Sequence, residues 1–264
     1  MKRVVLGPHA AEEAMRSDAK RVHVLYVQDG HARARELEAF AQRVGVRCET
    51  RAAEELEALA PGLKHQGVVA ITGEYPYVDL NDVFARAKPA PLLVALDQLS
   101  DPHNFGAIVR SCVAFGADGV VTLRDRAAPV TPVVVRASAG ATERARIARV
   151  TNLARTLGEL RERGLQLVGL DARGQTRLHA VPYASKGRVL VIGSEGGGLR
   201  RLTREACDVV VRVDLATAFE SLNASVAAGI ALYESARARC TVRPENHAEE
   251  TREDDPSQRE DDQA

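Results

Sequence analysis

Along the first 72 residues the hydrophobic and polar positions change period repeatedly. Short branched runs, VVLG, VHVLYVQ and QGVVAIT, alternate with stretches whose apolar residues recur every three or four positions, AAEEAMRS, ARARELEAFAQRV and EELEALA. Strands alternating with helices in this way predict a small α/β domain. The texture changes at TGEYPYVDLNDVFARAKPAP, where Pro76, Pro89 and Pro91 bracket a polar stretch that reads as a linker with one helical turn over 80–86. Alternation resumes with LLVALD, DGVVTL, LQLVGLDA, RVLVIG and VVVRVD, which are short and nearly all apolar. Such runs fit parallel strands covered on both faces. Helical patterns over 104–115, 152–163, 198–206 and 221–238 accompany them. The expected architecture is α/β throughout: a small domain over 1–73, a linker over 74–90, a doubly wound open sheet over 91–242 and a tail over 243–264.

Composition adds limits. The chain is 45% hydrophobic and 27% charged, the mixture of an ordinary globular protein. No run approaches the ~18 apolar residues of a membrane helix, and MKRVVLGPHA lacks the apolar core of a signal peptide, so a cytoplasmic protein with no membrane partner is expected. Cys48, Cys112, Cys207 and Cys240 show no Cys-x-x-Cys or His-paired spacing, which argues against zinc or a disulfide framework. Net charge is zero but unevenly placed. From Pro244 onward nine acidic residues face Arg252 and Arg259, a balance of −7, while residues 1–243 carry 34 basic and 27 acidic side chains, or +7. A basic body fits an anionic partner, and the acidic stretch, free of aromatic and branched apolar residues, reads as disordered.

Doubly wound sheets bind ligands beyond the carboxyl ends of their strands. Three loops there carry chemistry. In LDQLSDPHNFGAIVRS, Asn104 stands where a helix N-cap belongs, with Gly106 just inside and Arg110 two turns on. Its functional reading has Gly106 admitting a ligand while Asn104 and Arg110 point at a polar or anionic group; a capped helix with one solvated arginine is the plainer alternative. In VLVIGSEGGGLRRLTRE, Gly193, Glu195, Gly196 and Gly198 precede a basic helix. Neither a P-loop nor Gly-x-Gly-x-x-Gly is present, and a carboxylate at Glu195 would repel a pyrophosphate. A nicotinamide dehydrogenase with Asp214 as its ribose-binding acid stays a formal rival. A cofactor with ribose hydroxyls, a cationic centre and no phosphate suits the loop better. In VVVRVDLATAFESLNASVAAGI, Ser221 is the expected N-cap of the last helix, and Gly229 within that helix suggests a packing demand.

Asn104, Gly106 and Arg110, then Gly193, Glu195 and Gly198, then Ser221, Leu222, Asn223 and Ser225 resemble the three motifs of the SpoU/TrmH family of S-adenosylmethionine-dependent RNA 2′-O-methyltransferases. SAGATE, RVTNLARTL, LTREACD, the N-terminal VVLGPHAAEEAMRS and KHQGVVA extend the likeness to about residues 2 to 240, most like the branch acting on guanosine of bacterial 23S rRNA. The resemblance implies an L30e-like RNA-binding N-terminal domain, a trefoil-knotted SPOUT methyltransferase domain and a homodimer with sites near its interface.

It also implies roles. Catalytic roles fall to Arg110, Asn104, Ser221 and Asn223, and cofactor contacts to Gly193, Glu195, Gly196, Val213, Leu215 and Leu222, with S-adenosylmethionine as cofactor and no metal. Because a guanidinium is a poor base, the role expected of Arg110 is to bind the neighbouring phosphate and stabilise the developing alkoxide. The implied substrate is RNA, rRNA ahead of tRNA. Two departures stand out: Asp214 replaces a proline and Thr217 a glycine before the third motif, and Arg146 replaces a proline after SAGA. Asp214 and Thr217 motivate an RNA-binding or assembly factor without turnover as the alternative from another class.

Overall fold

The computed structural model describes residues 2–194, 196–216 and 221–241. Glu195, Thr217 and the acidic stretch lie outside them. The first unit contains β1 (Arg3–Leu6), α1 (Pro8–Asp18), β2 (Val22–Gln28), α2 (Ala34–Val44), β3 (Cys48–Arg51), α3 (Ala53–Leu59) and β4 (Val68–Thr72). Its sheet runs β1-β4-β2-β3, with β4 antiparallel to both neighbours and β3 parallel to β2. The apolar periodicity finds every strand here except β3, whose CETR is a half-buried edge with no hydrophobic run.

The stretch that reads as a linker holds α4 (Leu80–Ala85), and it does not hang free. Tyr75 is buried and its hydroxyl donates to the carbonyls of Thr142 (2.8 Å) and Ala145 (3.1 Å). Val78 forms a bridge to Ala148. Aromatic residues here therefore fasten the connection to the second unit.

That unit comprises β5 (Leu92–Leu96), α5 (Pro102–Ala114), β6 (Gly119–Leu123), α6 (Pro132–Ala137), β7 (Ile147–Val150), α7 (Leu153–Glu162), β8 (Gln166–Leu170), β9 (Thr176–Arg177), β10 (Arg188–Ile192), α8 (Arg201–Ala206), β11 (Val209–Arg212) and α9 (Ala224–Arg239). The sheet order is β7-β6-β5-β10-β8-β11-β9, every pairing parallel. All five residues of β5, β6 and β10 are buried, which explains their nearly unbroken apolar sequence. The chain lays down β8 before returning to insert β10 beside β5. This return creates the switch point where a doubly wound sheet opens a crevice.

Register aligns the strand ends there. Ile192 pairs with Leu96 on one side and Leu170 on the other. Consequently Asp97, Gly193 and Asp171, the next residue of each strand, stand in one row. Three small elements escape the sequence reading: β7, whose IARV mixes charge into the strand, the two-residue β9, and α6, a six-residue helix after Pro-containing loops.

The two units pack closely. Arg3 donates two 2.7 Å hydrogen bonds to the Glu143 carboxylate, with side chains only 10% and 6% exposed. A Cβ at Gly140 would lie 2.8 Å from Ala10 Cα, so α1 rests directly on the SAGA turn.

Candidate active site

Two helix caps differ from expectation. Asp101, not Asn104, caps α5, accepting from the backbone N–H groups of His103 and Asn104. Asn104 is buried inside the first turn. Likewise Asn223 rather than Ser221 caps α9, accepting from the N–H groups of Ser225 and Val226. In each case the Asp or Asn immediately before the first helical residue is the cap. Ser221 instead lines a cavity.

Gly106 does not admit a ligand, because α6 crosses α5 there. A Cβ at Gly106 would sit 2.5 Å from Ala137 Cβ and 2.7 Å from the Val134 carbonyl oxygen. Gly229 shows no comparable demand; its Cβ would meet Ser111 Oγ at 3.7 Å, an ordinary contact.

Beyond the switch point lies a cavity of about 520 Å³, a size typical of small-molecule sites. Gly193, Gly196, Val213, Leu215, Ser221 and Leu222 all line it. The glycine loop closes on itself: Ser194 N–H donates to Gly198 O at 3.2 Å and Gly198 N–H to Ser194 O at 3.0 Å. Gly193 has no room for a side chain, since a Cβ would lie 2.3 Å from the Gly198 carbonyl carbon. The loop therefore offers backbone at close range.

Two buried carboxylates fix this loop. Asp97 accepts from Arg200 N–H (3.0 Å) and Arg200 Nε (2.6 Å), tying the start of α8 to the end of β5. Asp171 pairs with Arg204 (2.7 Å) and Arg173 (3.4 Å) and lines the cavity. Burial alone would raise the Asp171 pKa, but the Arg173 backbone N–H and the charges of Arg204 and Arg173 outweigh it. The carboxyl lies below its ordinary value and is ionised at neutral pH. Sequence reading passes over Asp171 and Arg173, although the DARG loop follows a strand just as the other three loops do.

Arg110 is elsewhere. It is exposed on α5 and lines a second cleft of about 850 Å³ against α1. Asp214 does not line the cofactor-sized cavity and ion-pairs with Arg177 and Arg212, each at 3.5 Å. Glu195 lies outside the described residues. Among those described, no group of three His, Cys, Asp or Glu side chains is placed to hold a metal, and no helix is long and apolar enough to cross a membrane.

A parallel sheet with a cavity at its switch point is a ligand-binding α/β fold, and comparison identifies its class. The profile of the SpoU rRNA Methylase family matches residues 91–233, and that of the RNA 2'-O ribose methyltransferase substrate binding domain matches residues 4–78. The chain belongs to the SpoU family of RNA methyltransferases. It is 40% identical over 240 residues to the 23S rRNA (guanosine-2'-O-)-methyltransferase RlmB of Bordetella pertussis, covering 89% of this chain and 97% of that one. An uncharacterized tRNA/rRNA methyltransferase of Mycolicibacterium vanbaalenii is 44% identical over 242 residues, covering 89% and 76%. Among solved structures, the SpoU methyltransferase AviRb of Streptomyces viridochromogenes in complex with AdoMet superposes with a TM-score of 0.76 at 29% identity, covering 92% of each chain.

Proposed function

We propose that the protein transfers a methyl group from S-adenosylmethionine to a ribose 2′-hydroxyl of RNA, at a guanosine of 23S rRNA. The observation that carries this reading is the cavity at the switch point. Its backbone cradle at Gly193–Gly198 and its apolar walls Val213, Leu215 and Leu222 suit an adenosine. The ionised Asp171, lining the cavity, suits ribose hydroxyls as a hydrogen-bond acceptor. The AdoMet complex of AviRb and the 23S specificity in the name of the Bordetella relative support the same cofactor and target.

Bound there, S-adenosylmethionine supplies a methyl carbon made electrophilic by its sulfonium. Ser221, exposed beside the cavity, is positioned to hydrogen-bond the methionine part or the target ribose. Asn223 fixes the helix start beneath it. Arg110 holds the phosphate next to the target ribose and stabilises negative charge on the 2′-oxygen as its proton passes to solvent water.

Arg110 lines a different cleft from the cofactor cavity, so the reading includes a homodimer in which the second copy completes the site. Val226, Ile230 and Tyr233 are 50%, 37% and 53% exposed and lie along one stripe of α9. Phe115, at the C-cap of α5, extends the stripe, its ring 5.9 Å from that of Tyr233. Leu222 connects it to the cavity wall. An apolar stripe continuous with a binding site suits an isologous partner.

The RNA-binding factor without turnover loses one of its motives, because the Asp214 charge is matched by two arginines outside the cavity. The deciding experiment incubates the protein with methyl-labelled S-adenosylmethionine and with rRNA or tRNA from a strain lacking the gene. Label in 23S rRNA is expected; label confined to tRNA, or none with cofactor bound, contradicts the reading.

A further inference from the structure

We infer that Glu13 reads the base of the target nucleotide, accepting hydrogen bonds from the Watson–Crick edge of a guanine held in the cleft between α1 and α5. The inference rests on the ribose-methylation reading above. Arg110 and Ala139 line one wall of that cleft, and Glu12, Glu13 and Arg16 of α1 line the other, with Arg144 at its edge. No hydrogen bond or ion pair engages Arg110 among the described residues.

The cleft mixes signs in a way a phosphate channel would not. Carboxylates repel phosphates, so a surface that only tracks an RNA backbone has no use for two of them. A nucleotide explains both signs: the arginine takes the phosphate and a carboxylate takes base donors.

The two glutamates are not equivalent. Both oxygens of Glu12 are engaged, one by Arg16 at 2.6 Å and the other by Arg33 at 2.9 Å. Among the described residues Glu13 ion-pairs with Arg144 Nε alone, at 3.7 Å, beyond hydrogen-bond distance, and its side chain is 27% exposed. Glu13 lines the cleft, and among the described residues no hydrogen bond takes up its carboxylate oxygens. Guanine alone presents two adjacent donors, N1–H and N2–H, that match the two oxygens of a carboxylate. Adenine and cytosine place a ring acceptor beside their amino group, which a carboxylate repels. The wall carrying Glu13 is fixed relative to Arg110 by the buried Arg3–Glu143 pair, so the carboxylate and the guanidinium keep one spacing.

The test uses the full-length protein, a synthetic RNA spanning the mapped methylation position, and the same RNA carrying inosine there, which lacks the N2–H donor. Wild type should prefer guanosine to inosine, and Glu13→Gln should lower efficiency on guanosine by about 10- to 100-fold and erase the preference. A structural defect would lower both substrates together, and unchanged S-adenosylmethionine affinity of the variant confirms its fold. Glu13→Gln keeping the wild-type guanosine-to-inosine ratio overturns the inference. Failure of wild type to methylate the guanosine RNA overturns the underlying reading as well, and is distinguished by appearing before any substitution is made.

Discussion

Gly193 and Gly198 face each other so closely that a single methyl group between them would overlap the backbone: a Cβ on Gly193 would approach the Gly198 carbonyl carbon to 2.3 Å. The neighbour is main chain, so no side-chain rotation relieves the overlap. Gly193→Ala should force the loop open and weaken S-adenosylmethionine binding by at least about tenfold, since displacing a cradle costs about 1.4 kcal/mol or more. Calorimetry on the purified variant checks this, and wild-type affinity would remove the loop from the cofactor site.

Asp171 gives a pH-dependent prediction. Its folded pKa is lowered, so the stability it contributes is present above its unfolded value, about 4, and is lost as pH falls through the folded value. Asp171→Asn leaves Arg204 without its 2.7 Å partner and should destabilise the protein by about 1–3 kcal/mol. Denaturant melts should show that gap constant from pH 5 to 8, as estimated from the ordinary carboxylate range, and closing only below about pH 4. A gap that narrows near neutrality would mean the carboxylate is not ionised there.

The fold was largely legible because its central strands are buried on both faces and cannot avoid apolar sequence. Edge elements escaped for the opposite reason: CETR and IARV each expose charge, and the two-residue β9 is too short for any period. Within the site, six expected residues converge on one cavity. Sequence does not distinguish the caps, because Ser221 and Asn223, or Asp101 and Asn104, are chemically equivalent candidates until the helix start is fixed. Asp171 was hidden in a loop whose DARG carries no glycine cradle, and the role of Gly106 depends on a helix 30 residues away that no local pattern announces.

Gly158 lies within α7 with nothing within 4 Å of its would-be Cβ. Gly158→Ala should stabilise the chain by about 0.5–1 kcal/mol through helix propensity and raise Tm by about 2–4 °C. Calorimetric scanning of both proteins reads the shift, and a lower Tm would show that α7 needs the glycine.

The exposed stripe on α9 predicts an assembly that charge disrupts. Ile230→Glu, at a position 37% exposed in the single chain, should convert a dimer to a monomer in light scattering and abolish methyl transfer while S-adenosylmethionine still binds. A monomeric variant with full transfer would show that one chain holds the whole site.

The most direct test of the account is where the methyl group lands and whether Arg110 is needed to put it there. A ribose 2′-O-methyl group blocks alkaline cleavage of the following phosphodiester, so hydrolysis of 23S rRNA treated with wild-type protein should leave one labelled, alkali-resistant dinucleotide beginning with guanosine. Arg110→Ala should lower that product by about 100-fold with unchanged S-adenosylmethionine affinity. Label released entirely as mononucleotides, or full activity in Arg110→Ala, would contradict ribose methylation by this site.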